Sequence, residues 1–447
     1  MLGDYRIEGR RAADIAASVE RAVGSGELEP GQLLPSMREL AVRLGVNPNT
    51  VAAAYRTLRE RGVIETAGRR GSRVRPKPAT TGREYIRVDV PADTRDLADG
   101  NPDPALLPPL ADALAAAAEQ GDRRPVRYGD APVEPELARI ARAELTADGV
   151  PDGPVAVASG SLDAVERVLT AHLRPGDAVA VEDPGWGGLL DLVPALGLRV
   201  VPVEVDDEGP VPQDLGRALV GGARAVVVTD RAQNPTGAAV TASRARVLRS
   251  VLGEHPDTLL VEDDHGYKLV DQPLHPLAGS TRSWAFVRSV AKAYGPDLRL
   301  AVLTGDPVTV DRVRGRQRLG PGWVSLLLQR AVVRLWADGA VDARAVAAAY
   351  GRRREALIAA LARRGVPAHG RSGLNVWVPV PDETGAVARL LHAGWAVAPG
   401  ARFRTSAPPG IRITVSTLPE DERDGEVERL ADTVAAAVGP VPARRYG

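Results

Sequence analysis

Between Val155 and Leu303 the chain carries seven short apolar, β-prone runs: Val155 to Ala158, Ala178 to Val181, Arg199 to Val203, Ala223 to Val228, Thr258 to Val261, Trp284 to Val287 and Arg299 to Leu303. Helix-length segments or turns separate them. Mostly apolar β-prone runs separated by helical patterns or turns predict an α/β body around a largely parallel or mixed sheet. In such a sheet ligands sit beyond the carboxyl ends of the strands. The polar residues gather there: Ser159-Gly160-Ser161, Asp183-Pro184-Gly185-Trp186, Gln233-Asn234-Pro235-Thr236-Gly237 and Glu262-Asp263-Asp264-His265.

Lys292 follows the sixth run. Only Lys77, Lys268 and Lys292 occur in a chain that otherwise takes its positive charge from arginine. A primary amine forms an imine with an aldehyde and a guanidinium does not, which gives a lysine at a strand end a chemical reason to be there. The helical run from Leu162 to Leu173 begins beside Ser161, so Ser161 and the helix N-terminal amides suit a phosphate.

The chain has no cysteine, which excludes disulfides and thiolate chemistry, and its six histidines show no metal-ligand spacing. No apolar run approaches the roughly 20 residues of a membrane span, and the expected compartment is the cytoplasm. Formal net charge is zero, yet up to Pro78 fourteen basic residues stand against nine acidic ones. A basic head on a mildly acidic body suits nucleic acid at one end.

That head has its own pattern. Ala12 to Val23 places Ile15, Val19 and Val23 at helical spacing. Ser36 with Glu39 forms a capping-box pattern for a second helix burying Leu40, Ala41 and Leu44, and Gly45 ends it. Asn47 as cap and Pro48 at the first turn open a third helix through Val51, Ala54, Tyr55 and Leu58 to about Arg61. Two short helices across a tight turn make a helix-turn-helix, with Asn49, Thr50, Ala52, Ala53 and Arg56 on the face that enters a major groove. Val63 to Thr66 and Ser72 to Val74 then flank Gly68-Arg69-Arg70-Gly71, a two-stranded wing whose arginines meet phosphates or the minor groove.

Residues 12 to 75, especially SGELEPGQLLPSMRELAVRLGVNPNTVAAAYRTLRERGVIE, resemble the winged helix-turn-helix of the GntR family of bacterial transcription regulators. In that family the pair before the recognition helix is commonly Ser-Arg. Here it is Asn47-Pro48, so Arg38, Asn49 and Arg56 carry more of the expected DNA contact.

From about residue 95 the order of polar motifs is similar to that of the fold-type I aminotransferases, which use pyridoxal phosphate. The resemblance implies that Lys292 is the Schiff-base lysine, Asp263 the partner of the pyridinium nitrogen, Asn234 the donor to the ring hydroxyl and Trp186 the stacking aromatic. It implies Ser161, Ser289 and Arg299 as phosphate ligands, Tyr128 as a tyrosine reaching the neighbouring subunit's phosphate, and Arg412 in GIRITVS as the clamp on an effector carboxylate. A small domain follows, with strands at Leu374 to Val380 and Ile411 to Val415. His265 stands where relatives have a tyrosine, and is expected either to donate to the ring hydroxyl in its place or to be structural. Leu162 and Ala291 replace a frequent glutamine and serine, and Asp264 lies beside Asp263 as a rival carboxylate.

A GntR-type head on an aminotransferase-type body is the architecture of the MocR subfamily. The resemblance implies a winged helix-turn-helix over 8–75, a linker over 76–95 containing a short strand from Tyr85 to Val90, a large domain over 96–335 and a small one over 336–447. It implies a homodimeric, head-to-tail regulator that binds an operator in double-stranded DNA and uses pyridoxal phosphate, alone or with an amino compound, as its signal. SVAKAYGPDLR leans towards control of vitamin B6 metabolism. A working aminotransferase with a DNA-binding appendage is the alternative.

Overall fold

The computed structural model describes residues 7–25, 27–60, 63–66, 71–74, 82–83, 90–91, 93–420 and 425–438. The arginines of the expected wing tip, Arg69 and Arg70, and all but Val90 of the expected linker strand lie outside these residues. The chain forms two compact units, one around the N-terminal helices and one around a long sheet.

In the first unit, α1 (Ala12–Ser25), α2 (Met37–Leu44) and α3 (Pro48–Glu60) enclose a core of Ile15, Val19, Leu40, Val51, Ala54, Tyr55 and Leu58. Ala22 rather than Val23 closes the buried stripe of α1, Val23 being only half-buried. Local chemistry sets the helix ends. Ser36 Oγ accepts from Glu39 N at 3.2 Å, Gly45 stops α2 with φ +62°, and Asn47 Oδ1 accepts from Asn49 N at 2.8 Å as Pro48 opens α3. The buried Tyr55 hydroxyl donates to the Pro35 carbonyl at 2.9 Å, pinning α3 to the segment that leads into α2. The wing strands β1 (Ile64–Thr66) and β2 (Ser72–Val74) pair antiparallel, and Leu33 bridges Arg73 on the outer side of β2.

From Arg95 onward the elements run β3 (Arg95–Asp96), α4 (Ala111–Arg123), α5 (Pro135–Ala147), β4 (Val155–Ala158), α6 (Ser161–His172), β5 (Ala178–Asp183), α7 (Gly187–Ala195), β6 (Arg199–Asp206) and β7 (Gly209–Pro210). There follow α8 (Pro212–Val220), β8 (Ala223–Thr229), α9 (Ala242–Gly253), β9 (Leu259–Asp264), β10 (Ser283–Ser289), α10 (Ala291–Tyr294) and β11 (Ala301–Gly305). The eight-stranded sheet has the order β4-β11-β10-β9-β8-β5-β6-β7. It is mixed: β8, β9 and β10 run parallel, while β11 is antiparallel to both β10 and β4. The expected run from Arg299 starts two residues later, because Pro296 to Leu298 form a 3-10 turn and Arg299 itself takes a left-handed conformation, φ 43°, ψ 48°.

Beyond β11 come α11 (Pro307–Arg318), α12 (Leu326–Ala337), α13 (Ala343–Arg363), β12 (Asn375–Pro379), α14 (Glu383–His392), β13 (Trp395–Ala396), β14 (Ala398–Pro399), β15 (Gly410–Thr414) and α15 (Glu426–Val438). Strand β15 is central in a three-stranded antiparallel sheet between β12 and β14, with Leu357, Leu361, Leu430 and Val434 of α13 and α15 in the same core. β3 pairs in parallel with β13. Among the described residues no helix is long and apolar enough to cross a membrane.

Candidate functional site

One cavity of about 420 Å³ opens beyond the carboxyl ends of the sheet strands, and Ser161, Trp186, Asn234, Asp263, His265, Ser289, Lys292, Arg299 and Arg412 all line it. The fold explains the convergence. β4, β5, β8, β9 and β10 deliver the first seven of these residues at or just past their ends, and the turn before β11 delivers Arg299. Arg412 arrives from β15, where it lies between Trp377 and Ala398 in the register. Tyr128 does not line this cavity: it is 95% exposed and stands edge-on to Trp323, with ring centroids 5.7 Å apart.

The two adjacent aspartates separate because successive side chains of a strand leave opposite faces. Asp263 points into the cavity. Asp264 is fully buried behind it, where Arg231 holds it through Nε at 2.8 Å and Nη2 at 3.0 Å and Arg288 Nε at 3.0 Å. Burial alone raises a carboxyl, but these two guanidiniums outweigh it and hold Asp264 below the usual carboxylate range. Behind the same strand ends, burial pushes Glu262 up to about 7 and Asp230 well above its ordinary value, the charge of Glu262 adding to the rise in Asp230.

Lys292 Nζ donates to the Gly100 carbonyl at 2.8 Å. Arg412 Nη1 donates to Asn234 Oδ1 at 3.0 Å, Nη2 donates to the Ala98 carbonyl, and the guanidinium lies 4.6 Å from the Phe403 ring centroid. Gly100, at φ +68°, passes so close that a Cβ there would sit 3.0 Å from both Arg412 Nη atoms. Arg299 Nη2 donates to the Ser159 carbonyl at 3.1 Å, and a Cβ on Gly160 would meet it at 3.0 Å. His265 Nδ1 is 3.1 Å from Asp263 Oδ2 and Nε2 is 2.7 Å from the Ala232 carbonyl, which leaves neither ring nitrogen for a ring hydroxyl.

The cavity wall also contains residues the sequence reading passed over: Ala98, Gly100, Arg402 and Phe403 among them. A clasp holds the Phe403 side. Asp183 accepts from the backbone amides of Thr405, Ser406 and Ala407 and from the Thr405 and Ser406 hydroxyls, all between 2.7 and 2.9 Å, and Gly185 N donates to the Phe403 carbonyl at 2.7 Å. Burial works against the Asp183 charge, but these donors keep its pKa depressed.

On the first unit, Arg38, Asn49 and Arg56 are exposed and Thr50 is half-buried. Asn49 and Arg56 share the outer face of α3, seven residues apart and so two turns along one stripe.

Residues 11–74 match the model of the gntR family of bacterial regulatory proteins, and residues 93–430 match that of aminotransferase class I and II. Over 438 residues the chain is 40% identical to the vitamin B6 salvage pathway transcriptional repressor PtsJ of Salmonella typhimurium strain LT2, covering 97% of this chain and 99% of that one. The chain belongs to the MocR-type GntR regulators. Its MocR body is also similar to the aspartate aminotransferase of Thermus thermophilus solved with maleate (27% identity, TM-score 0.67, 76% of this chain and 92% of that one). LysN, the α-aminoadipate aminotransferase of Thermus thermophilus complexed with N-(5'-phosphopyridoxyl)-L-leucine, shares the fold at 22% identity (TM-score 0.67, 80% of this chain and 97% of that one).

In the cavity wall of this MocR body, Ser161 Oγ and Asp263 Oδ1 are among the buried polar atoms with no hydrogen-bond partner among the described residues. Burying such atoms unsatisfied costs about 1–3 kcal/mol each. Ser161 begins the twelve-residue α6, where the helix amides and dipole favour an anion. Asp263 Oδ1 suits an N–H donor. The cavity therefore suits a molecule with an anion at one end and a protonated nitrogen elsewhere, next to a primary amine and a guanidinium.

Proposed function

We propose that this chain is a transcription regulator that binds operator DNA through its N-terminal unit and takes pyridoxal phosphate, with or without an amino compound, as the signal in its aminotransferase-like body. The observation that carries the reading is the pair of unsatisfied buried atoms, Ser161 Oγ and Asp263 Oδ1, in one cavity with Lys292. A phosphate and a pyridinium N–H are the groups these atoms lack.

Ser161, Ser289 and Arg299 would hold the phosphate, Trp186 would cover the ring, Asp263 would accept from its nitrogen and Asn234 would donate to its hydroxyl. Bound, the cofactor supplies a reactive aldehyde and an electron-accepting ring. Lys292, whose Nζ now donates to the Gly100 carbonyl, would hold the cofactor through its primary amine. Arg412 would clamp the carboxylate of an amino effector, a task that suits a guanidinium's paired donors. A head-to-tail homodimer would bring Tyr128 to the partner's phosphate, and the protein would act in the cytoplasm. Its targets would be genes of vitamin B6 metabolism, as the name of the Salmonella relative suggests.

The head would contribute Arg38, Asn49, Thr50 and Arg56 to the operator, together with Arg69 and Arg70, which fall between β1 and β2 in the sequence. A turnover catalyst gains nothing evident from a fused operator reader, whereas a sensor needs one, which favours regulation over physiological transamination. The double substitution Arg38→Ala plus Arg56→Ala is expected to weaken operator binding by about 2 kcal/mol or more and to make the salt dependence shallower. Binding titrations at two salt concentrations check this, and wild-type affinity in the double variant would remove the head from its assigned role.

A further inference from the structure

β9 ends at Asp264, so the chain has left the sheet at His265 and the imidazole turns back beside Asp263. Its two contacts settle its hydrogens. The Ala232 oxygen, 2.7 Å from Nε2, is a backbone carbonyl and only accepts, so Nε2 carries a hydrogen. In a neutral imidazole Nδ1 would then turn a lone pair towards Asp263 Oδ2 at 3.1 Å, which is repulsive unless a second proton sits in that contact. Burial disfavours a charged imidazole here, yet the hydrogen bond and charge of Asp263, with the Ala232 carbonyl, outweigh it and raise the His265 pKa above its ordinary 6.5. The proton belongs on the histidine.

Other charges around the ring are Lys292, which opposes this, and the buried carboxyls Glu182 and Asp264. Asp264 is already paired with Arg231 and Arg288, and Glu182 is pushed up to about 7 by burial. Neither replaces Asp263 as the partner of Nδ1.

We infer that His265 is a positioning residue: as imidazolium it fixes Asp263 as an oriented carboxylate through Oδ2 and leaves Oδ1 as the acceptor for a protonated aromatic ring nitrogen. The cavity thereby selects heteroaromatic ligands that carry an N–H⁺ donor over isosteric rings that do not. This rests on reading the cavity as a pyridoxal phosphate site, and it assigns the histidine a task other than the tyrosine's at the ring hydroxyl.

The test pairs a ligand-free measurement with two probes. In the full-length protein with ¹⁵N-labelled histidine, the resonances that disappear in His265→Asn identify His265. Both its nitrogens are expected to be protonated at neutral pH, and one proton is expected to be lost in Asp263→Asn. Affinity is then measured for pyridoxal phosphate and for its 1-deaza counterpart, in which C–H replaces the ring nitrogen. His265→Phe is expected to weaken pyridoxal phosphate about tenfold or more, the loss of one charge-assisted contact. His265→Asn, which keeps an N–H towards Asp263 without the charge, is expected to lose less. The deaza probe is expected to change by less than about twofold in both variants, having no N–H to lose. Wild-type affinity for pyridoxal phosphate should be full below the raised His265 pKa and fall as pH rises through it. A neutral His265 in the ligand-free protein, or equal losses for both probes, would overturn the inference. Failure of the wild type to bind either probe would overturn the pyridoxal phosphate reading itself, whatever the histidine resonances show.

Discussion

Lys292→Ala is expected to abolish borohydride-fixable attachment of pyridoxal phosphate, and the visible absorption band with it, while the variant unfolds close to the wild type. Among the described residues Lys292 is the one lysine lining the cavity. Lys268, the other described lysine, lies 3.5 Å from Glu144 Oε1 and beside the Tyr267 ring. The substitution removes the hydrogen bond to the Gly100 carbonyl from a half-buried side chain, a contact worth about 1 kcal/mol. Covalent capture has no such substitute, because no arginine in the wall provides a primary amine. Absorption spectra and peptide mapping after reduction check both halves. Adduct on Lys268, or an unchanged band, would contradict the assignment.

Asp264→Ala is expected to cost about 3–5 kcal/mol of stability, read from denaturant unfolding, since it strips the shared carboxylate from two buried guanidiniums. Arg231 is 7% and Arg288 2% exposed, and the remaining carboxylate contact of Arg288 is to Asp148 at 2.6 Å. The sign with pH follows from the depressed Asp264 pKa. Its contribution is present above the unfolded carboxylate range and is lost as pH falls through the folded pKa, so the gap between variant and wild type should narrow in acid. Asp263→Ala should behave differently, weakening ligand binding and costing less stability than Asp264→Ala, since it gives up one ion contact, Oδ2 with His265 Nδ1, while Oδ1 has no hydrogen-bond partner among the described residues. Equal stability losses from the two substitutions would contradict the division of labour between adjacent aspartates.

The head was legible because its signals are local: Ser36, Gly45 and Asn47-Pro48 set helix ends within three residues of themselves. The strands of the large sheet were legible as apolar runs, and polar residues singled out at their ends line one cavity. What stayed hidden depends on contacts distant in sequence. Arg412 reaches the Ala98 carbonyl, Lys292 reaches Gly100, and Asp183 clasps the turn from Thr405 to Ala407, and no periodicity or spacing encodes such meetings. His265 was ambiguous for the same reason. Its carboxylate partner is two residues away, but the carbonyl that fixes its hydrogens belongs to Ala232, on the neighbouring strand's loop. Arg299 shows a smaller failure, where a β-prone run concealed a left-handed turn residue.

Regulation by ligand requires that the ligand bind two arrangements of the protein unequally, and the coupling must appear as a change in operator affinity. The most direct test is a titration of operator DNA at fixed salt with apo, pyridoxal phosphate-loaded and Lys292→Ala protein, run beside a panel of amino acids assayed for turnover. Loaded wild type should differ from apo by about fivefold or more in operator affinity, the added ligand should leave Lys292→Ala near the apo curve, and turnover should be slow or absent. Three superimposed binding curves together with sustained turnover on any amino acid would contradict the account and make the chain an enzyme.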